Sequence, residues 1–449
     1  MRDILVTAII TVGLIMALRR PYIAALLWVW IGLMNPHRLG WGFAYSFPFA
    51  MIAAIVLIIS MAINPEKIRW PTGATVFLLI LLVAWMGVTT LGAIIYDGSM
   101  IKYVATLKVL LMTLVVAAVV RTREEILGLV LITVGSIAFF GVKGGLFTVM
   151  TGGVNRVWGP PSSVIEGNNE LAVALVITIP LLYYLAHQVP LIRQLRPMGW
   201  VSEKWMRRGF YAAIPLCMIA ALGSYSRGAL LALVAMSTMF WWRSKSKWAV
   251  AVLILIVLAV ALYFMPEAWL GRMNTLGTYA EDSSAMGRIN AWTMAINIAN
   301  DRLLGAGFET ASPVIYLRYA PNPNFVIVAH SIYFQILGEH GYVGLLLYLG
   351  FWFMTYCLAG KVIKLAAGKD GLQWAHMLGS MAKVSLVGFA VGGAFLSIAY
   401  WDMPFYIMVI LVCTERWVRD SLGESLQKDA CSDPIPSAAT MRCPEGRMP

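Results

Sequence analysis

The chain has 449 residues, 60% hydrophobic and only 12% charged, with a formal charge of +12 from 34 Lys+Arg against 22 Asp+Glu. A mean hydropathy of +0.77 lies far outside the soluble range, so the sequence reads as an integral membrane protein. The basic excess then belongs to cytoplasmic loops and a phosphate-bearing ligand rather than to nucleic acid, and five cysteines without C-x-x-C or metal spacing argue against redox and zinc chemistry.

The apolar runs are too long for barrel strands and predict helices, because a helical span needs about 20 residues. In chain order the candidate spans are 4 to 18, 22 to 34, 45 to 63, 73 to 95, 101 to 120, 126 to 149, 170 to 187, 209 to 223, 228 to 243, 248 to 265, 331 to 358, 381 to 398 and 402 to 417. The first two are short and share the Arg19-Arg20-Pro21 break, which gives an all-α polytopic protein of about 12 transmembrane helices. The first is not a cleaved signal peptide, since no small-residue cleavage site precedes Arg19.

Basic residues fall on every second connection: Arg19/Arg20, Lys67/Arg69, Arg121/Arg123, 193 to 208, Arg243/Lys245/Lys247 and Lys361/Lys364/Lys369. The positive-inside rule assigns these to the cytoplasm. The outer side then receives 35 to 44, 96 to 100, 150 to 169, 223 to 228, the long stretch 266 to 330, and 399 to 401. Three regions follow: N-terminal helices over 1–149, a membrane domain over 150–420 that includes the outer loop 266–330, and a polar tail over 421–449 expected to be disordered and cytoplasmic.

The outer basic residues are nearly all arginine, namely Arg38, Arg156, Arg227, Arg272, Arg288, Arg302 and Arg318, with Lys102 at a span end. A planar guanidinium grips phosphate bidentately, whereas lysine serves orientation equally well, so arginine on the face where positive charge is disfavoured points to holding an anion. The competing reading is that these arginines pair with Glu166, Glu170, Glu281, Asp282, Asp301 or Glu309 as loop structure.

Arg227 lies in Gly223-Ser224-Tyr225-Ser226-Arg227-Gly228, a short turn whose small and hydroxylated residues let a phosphate approach the backbone, although snorkelling explains a lone arginine. Arg288 opens a helix in which Trp292, four residues on, shares its face. Arg156 belongs to a turn-rich loop that ends in Asn168-Asn169.

The stretch from Ala329 to Gly344 places His330 and Ser331 at the outer mouth of a span. His330 titrates near neutrality and could accept a proton from a hydroxyl, with nearby arginines lowering its pKa; the alternative is that it caps its helix or bonds a loop carbonyl. Glu339 lies more than two turns deeper, where a carboxyl is costly unless paired, and reads as the buried partner of an arginine or as part of the site, with the structural role preferred. His340 reads as an ordinary span-end residue. No G-x-x-x-x-G-K-[ST] occurs and the outer loops hold no D-x-D pair, Glu281-Asp282 being the only weak candidate, so neither a metal nor another cofactor is expected.

Together these residues resemble the O-antigen ligases, within the group that also holds O-antigen polymerases and bacterial O-linked protein glycosylation ligases. The resemblance rests on Arg156 with Gly159 and Asn169, Ser226-Arg227-Gly228, Arg288 with Trp292 followed by Gly305-Ala-Gly307, and His330-Ser331 with Glu339 and Gly341. The N-terminal third, with Asn35-Pro-His-Arg38 and Trp41-Gly-Phe, looks like exosortase-associated O-glycosylation ligases. The resemblance implies a metal-independent, inverting GT-C-type glycosyltransferase of the bacterial inner membrane with its site facing the periplasm. Its donor would be polysaccharide on undecaprenyl pyrophosphate and its acceptor lipid A-core. In that reading Arg227, Arg288 and Arg156 hold the pyrophosphate and His330 is the general base. Arg272, Arg318, Ser226, Tyr225, Asn169, Trp292 and Glu339 support them. A transporter with arginines lining its pathway is the rival class.

Overall fold

The computed structural model describes residues 1–195, 198–243, 246–248 and 283–432. All but the first residue of the predicted span 248 to 265, and Arg272, Glu281 and Asp282, lie outside the described residues. The chain is helical throughout, with no strand among those residues. Its helices are α1 (Arg2–Ala17), α2 (Pro21–Met34), α3 (Phe49–Ile63), α4 (Ala74–Leu91), α5 (Tyr96–Val119), α6 (Arg123–Met150), α7 (Asn168–His187) and α8 (Val189–Ile192). They continue with α9 (Glu203–Gly223), α10 (Arg227–Arg243), α11 (Ser283–Asp301), α12 (Pro313–Tyr319), α13 (Ile332–Ala366), α14 (Gln373–Gly393) and α15 (Asp402–Ser432).

Six of these, α4, α5, α6, α7, α13 and α14, are long and apolar enough to cross a membrane, and α2, α3 and Arg227–Trp242 are shorter apolar helices. The expected count of about twelve is therefore only partly met by length and composition. Every other predicted span among the described residues falls on a helix, but α1 has 16 residues and α9 opens with Glu203, Lys204, Arg207 and Arg208. The polar tail departs from expectation too. Good helix formers after Gly423 carry α15 on to Ser432, so the region expected to be disordered from 421 begins as helix.

Local signals set several boundaries. Thr122 and Glu125 form a reciprocal capping box that starts α6, the Thr122 hydroxyl accepting the Glu125 N–H at 3.2 Å and the Glu125 carboxylate accepting the Thr122 N–H at 3.1 Å. Pro21 opens α2, where a missing N–H costs nothing. At the centre of the bundle, residues 403–412 of α15 are buried on every side, as expected of a helix apolar all round. The Trp28 indole of α2 donates to the Tyr406 hydroxyl there at 3.0 Å.

The connections sort into two ends. At the basic end, Lys67 donates to the Arg19 carbonyl at 3.0 Å, Arg121 to the Glu66 carbonyl at 2.7 Å, and Lys361 pairs with Glu415 at 2.9 Å. Arg416 donates to the carbonyls of Arg69 at 2.8 Å and Val120 at 2.5 Å, lashing α15 to the N-terminal helices. At the opposite end, Arg38 donates to the Ser162 carbonyl at 2.7 Å, the Ile94 N–H to Ala306 O at 2.9 Å, and the Asn168 amide to Ser224 O at 2.7 Å. The basic connections at 19–20, 66–69, 121 and 361 thus lie at one end with residues 415 and 416 of α15, and the connections at 38, 94, 162, 168, 224 and 306 pair among themselves at the other.

Candidate functional site

The site is built at the second of these ends by a strap, residues 320–330, laid along α11. Asn290 clamps it, its amide nitrogen donating to Asn322 O at 2.8 Å and Phe325 O at 3.2 Å while its oxygen accepts the Asn322 N–H at 2.8 Å. Two residues on, Trp292 stacks on Phe334 of α13 at 4.9 Å and donates its indole N–H to Ala329 O at 2.7 Å. The strap is therefore fixed immediately before His330. The His330 N–H then donates to Ser397 Oγ at 2.8 Å.

Between these two clamps His330 takes a left-handed φ of +45°, which is strained for a residue with a Cβ and costs about 1–3 kcal/mol. Its Nδ1 is buried and has no hydrogen-bond partner among the described residues. Burial, and then the Arg288 guanidinium, push its pKa below the ordinary histidine value, so the imidazole is held neutral near pH 7. Among the described residues, the N-cap of the following helix is Ser331 and the Nδ1 bonds no loop carbonyl.

The second wall is the turn between α9 and α10. Its carbonyls at 223 and 224 accept the Val157 N–H at 3.2 Å and the Asn168 amide at 2.7 Å. Tyr225, at φ +62°, donates its hydroxyl to Gly153 O at 2.8 Å and presents its ring to Arg156, whose guanidinium lies 5.6 Å from the ring centroid. Ser226 accepts the Ala229 N–H at 3.3 Å and so caps α10, which begins at Arg227. Gly228 packs so close to Phe395 that a Cβ there would meet Phe395 Cβ at 3.1 Å. The segment carrying Phe395 and Ser397 is thus shared by the Arg227 turn and by His330.

The structure brings together much of the predicted set. Arg156 sits with Tyr225, both sit against the turn of Ser226 and Arg227, and the Arg288 charge reaches both His330 and Glu170 in the first turn of α7. Two details differ. Helix α11 begins at Ser283, so Arg288 lies in its second turn rather than opening it, and the turn is held by Asn168 rather than Asn169, which is half-buried beside it.

Other predicted residues have structural employment. Arg318 pairs with Asp301 at 3.5 Å on an exposed surface and lies over the Tyr319 ring, Lys102 pairs with Glu309 at 3.9 Å, and Arg302 donates to the carbonyls of Gly305 at 2.9 Å and Gly92 at 2.6 Å. Glu339 is buried and, among the described residues, pairs with no arginine, which departs from the first of the two expectations for it; its carboxylate accepts the Tyr400 hydroxyl and, at 3.5 Å, the Gln335 amide. His340 is no span-end residue either. It is fully buried, with Nδ1 bonded to Thr89 Oγ1 at 2.7 Å and Nε2 to Tyr400 OH at 2.8 Å.

Gly305 and Gly307, both with positive φ, bring their loop onto the kink of α13 at Gly341, where Ala306 N–H donates to Gly338 O at 2.9 Å and Gly307 N–H to Glu339 O at 3.0 Å. A Cβ at Gly305 would meet Glu339 O at 2.7 Å, so this motif is a backbone clasp. Sequence reasoning missed Asn290, although it lies inside the Arg288 to Trp292 stretch, and Ser397, which lies in an apolar run.

Residues 212–349 match the family described as O-Antigen ligase, and residues 1–189 match a family of unknown function (DUF5935). The first match spans Arg227, Arg288, Trp292, His330 and Glu339, while Arg156 falls in the second. No curated protein matches the chain.

Proposed function

We propose that the chain, whose residues 212–349 match the family described as O-Antigen ligase, is an inner-membrane glycosyltransferase of about twelve spans and GT-C type. It transfers polysaccharide from undecaprenyl pyrophosphate to lipid A-core, and its site faces the periplasm. The acceptor hydroxyl attacks the anomeric carbon as the bond to pyrophosphate breaks, inverting that centre. His330 takes the hydroxyl proton. The pyrophosphate leaves with the bonding electrons, its growing charge matched by Arg227, Arg288 and Arg156, each such donor being worth about 3 kcal/mol. No metal takes part.

The observation that carries this reading is His330 itself, held with a left-handed backbone between two clamps, its buried Nδ1 lacking a partner among the described residues and its pKa lowered by burial and by the Arg288 charge. Such a nitrogen costs about 1–3 kcal/mol until a group such as an acceptor hydroxyl satisfies it; His37 has a buried, unpartnered Nδ1 too, and His330 differs from it in the left-handed backbone held at the mouth of α13. The alternative uses of the same donor, polymerisation or protein O-glycosylation, differ only in the acceptor.

The test is transfer by the purified protein in liposomes, supplied with undecaprenyl-pyrophosphate-linked O-antigen and lipid A-core, with the product resolved by gel mobility. Product is expected with and without EDTA. Transfer to a growing glycan or a peptide serine instead of lipid A-core replaces the acceptor; movement of donor across the bilayer without transfer makes the protein a transporter. EDTA inhibition reversed by Mg²⁺ would return attention to Glu281 and Asp282.

A further inference from the structure

We propose that Ser397 is a positioning residue: by accepting the His330 backbone N–H it holds the imidazole in place, a role that rests on His330 acting as the base. The bond is 2.8 Å long and crosses between the strap and the segment joining α14 to α15. A left-handed conformation in a residue with a Cβ persists only where its surroundings over-determine it. Here the restraint comes from both sides. Trp292 fixes the carbonyl that precedes His330, and Ser397 fixes its own N–H. Removing either lets the backbone relax to a negative φ, and relaxation at this residue swings the whole side chain.

Ser397 can serve as a fixed point because the residues after it are tied into α13. The Ala399 N–H donates to Gln335 Oε1 at 3.3 Å, and the Tyr348 hydroxyl to Ala399 O at 3.3 Å. Tyr400 donates to Glu339 and meets His340 Nε2 at 2.8 Å, and His340 is held in turn by Thr89 of α4 at 2.7 Å. A buried, mutually satisfied polar network of this kind is rigid. The network around Glu339 therefore acts at a distance, as the footing of the segment that sets His330. Phe395 in the same segment abuts the Arg227 turn at Gly228, so one rigid piece registers base and guanidinium against each other.

The experiment combines kinetics with chemical modification in the reconstituted full chain. Ser397→Ala is expected to lower kcat by about 10- to 100-fold, the scale of a misplaced reacting group, with donor KM within about two-fold. The acid limb of its pH–rate profile should move up, since the imidazole leaves both its burial and Arg288 of α11; the other ionisable groups toward this end of the adjoining elements include Tyr333, Glu339 and His340 of α13, Arg227 of α10, Asp402 of α15, and Tyr400. Ser397→Thr keeps the acceptor and should restore kcat and profile together.

Diethyl pyrocarbonate, followed by mass spectrometry, should modify His330 faster in Ser397→Ala than in the wild type. Where the alanine variant is poorly inserted, Ser397→Cys, of similar volume but a weak acceptor, gives the same reading. Wild-type kcat with an unchanged modification rate in these variants overturns the proposal. If His330→Gln itself turns over normally while Ser397→Ala still speeds modification, it is the base assignment that falls and not the hold of Ser397 on His330.

Discussion

Two histidines stand ten residues apart around the start of α13 and could hardly be more differently placed. His340 is wholly enclosed, with both ring nitrogens bonded, to Thr89 and Tyr400, and a backbone carbonyl that accepts the Trp85 indole N–H at 3.0 Å. His330 sits at the helix mouth with a left-handed backbone, a buried Nδ1 lacking a partner among the described residues, and an arginine close enough to bias its protonation. A saturated imidazole rigidifies what surrounds it. One held under strain with an open valence waits for something else, and the backbone restraints that keep it there are the feature that separates the two roles.

The sharpest way to break this contrast is to exchange the consequences. His330→Ala should cut transfer by about 10²- to 10⁴-fold at normal membrane levels, with donor binding retained. His340→Ala should instead lower thermal stability and yield, because it removes a fully buried ring with its hydrogen bonds to Thr89 and Tyr400, each bond worth about 0.5–1.5 kcal/mol. A stable His340→Ala protein that binds donor but is inactive would erase the distinction.

Next in size, Arg288→Lys and Arg227→Lys should each lose about 10²-fold in transfer, nearly as much as the alanine variants, since a point charge does not replace a bidentate fork. Normal rates in both lysine variants would leave only a charged surface around His330. A smaller and more diagnostic effect is the pH profile. The base works when neutral, and burial with Arg288 lowers its pKa, so the acid limb of kcat/KM should lie below pH ~6.5, activity being present above the limb and lost as pH falls through it. Arg288→Gln, which removes one of the two causes, should raise the limb. The smallest effect is expected of Arg318→Ala. Its partner Asp301 and its own side chain are both more than half exposed, so transfer should change less than two-fold and stability by less than about 1 kcal/mol.

Much of this was open to reading in the sequence, for definable reasons. Loop charge is a local property, and it grouped Arg19, Lys67, Arg69 and Arg121 as the fold groups them. Arg288, Trp292 and His330 carry a pattern of residue types that chemistry makes unusual at a span mouth. Ser397 carried no such signal: its partner is a backbone N–H 67 positions away, and a serine in an apolar run looks the same whatever it bonds. Glu339 was recognised as needing a partner, but the partner is a tyrosine from beyond the next helix, and charge matching could not have named it. Arg302 and Arg318 were indistinguishable from Arg288 by type and side alone, and only geometry shows them bound to carbonyls and to Asp301.

Helix α15 has a bearing on how the protein is made. It is synthesised after every other described helix, yet residues 403–412 fill the middle of the bundle and Arg416 binds carbonyls of residues 69 and 120. The earlier helices must therefore assemble with a vacancy among them, closed only when α15 arrives. Until then the faces of α5, α6, α13 and α14 that α15 covers stand open, and translation arrested before residue 402 should leave a chain that is inserted but readily degraded.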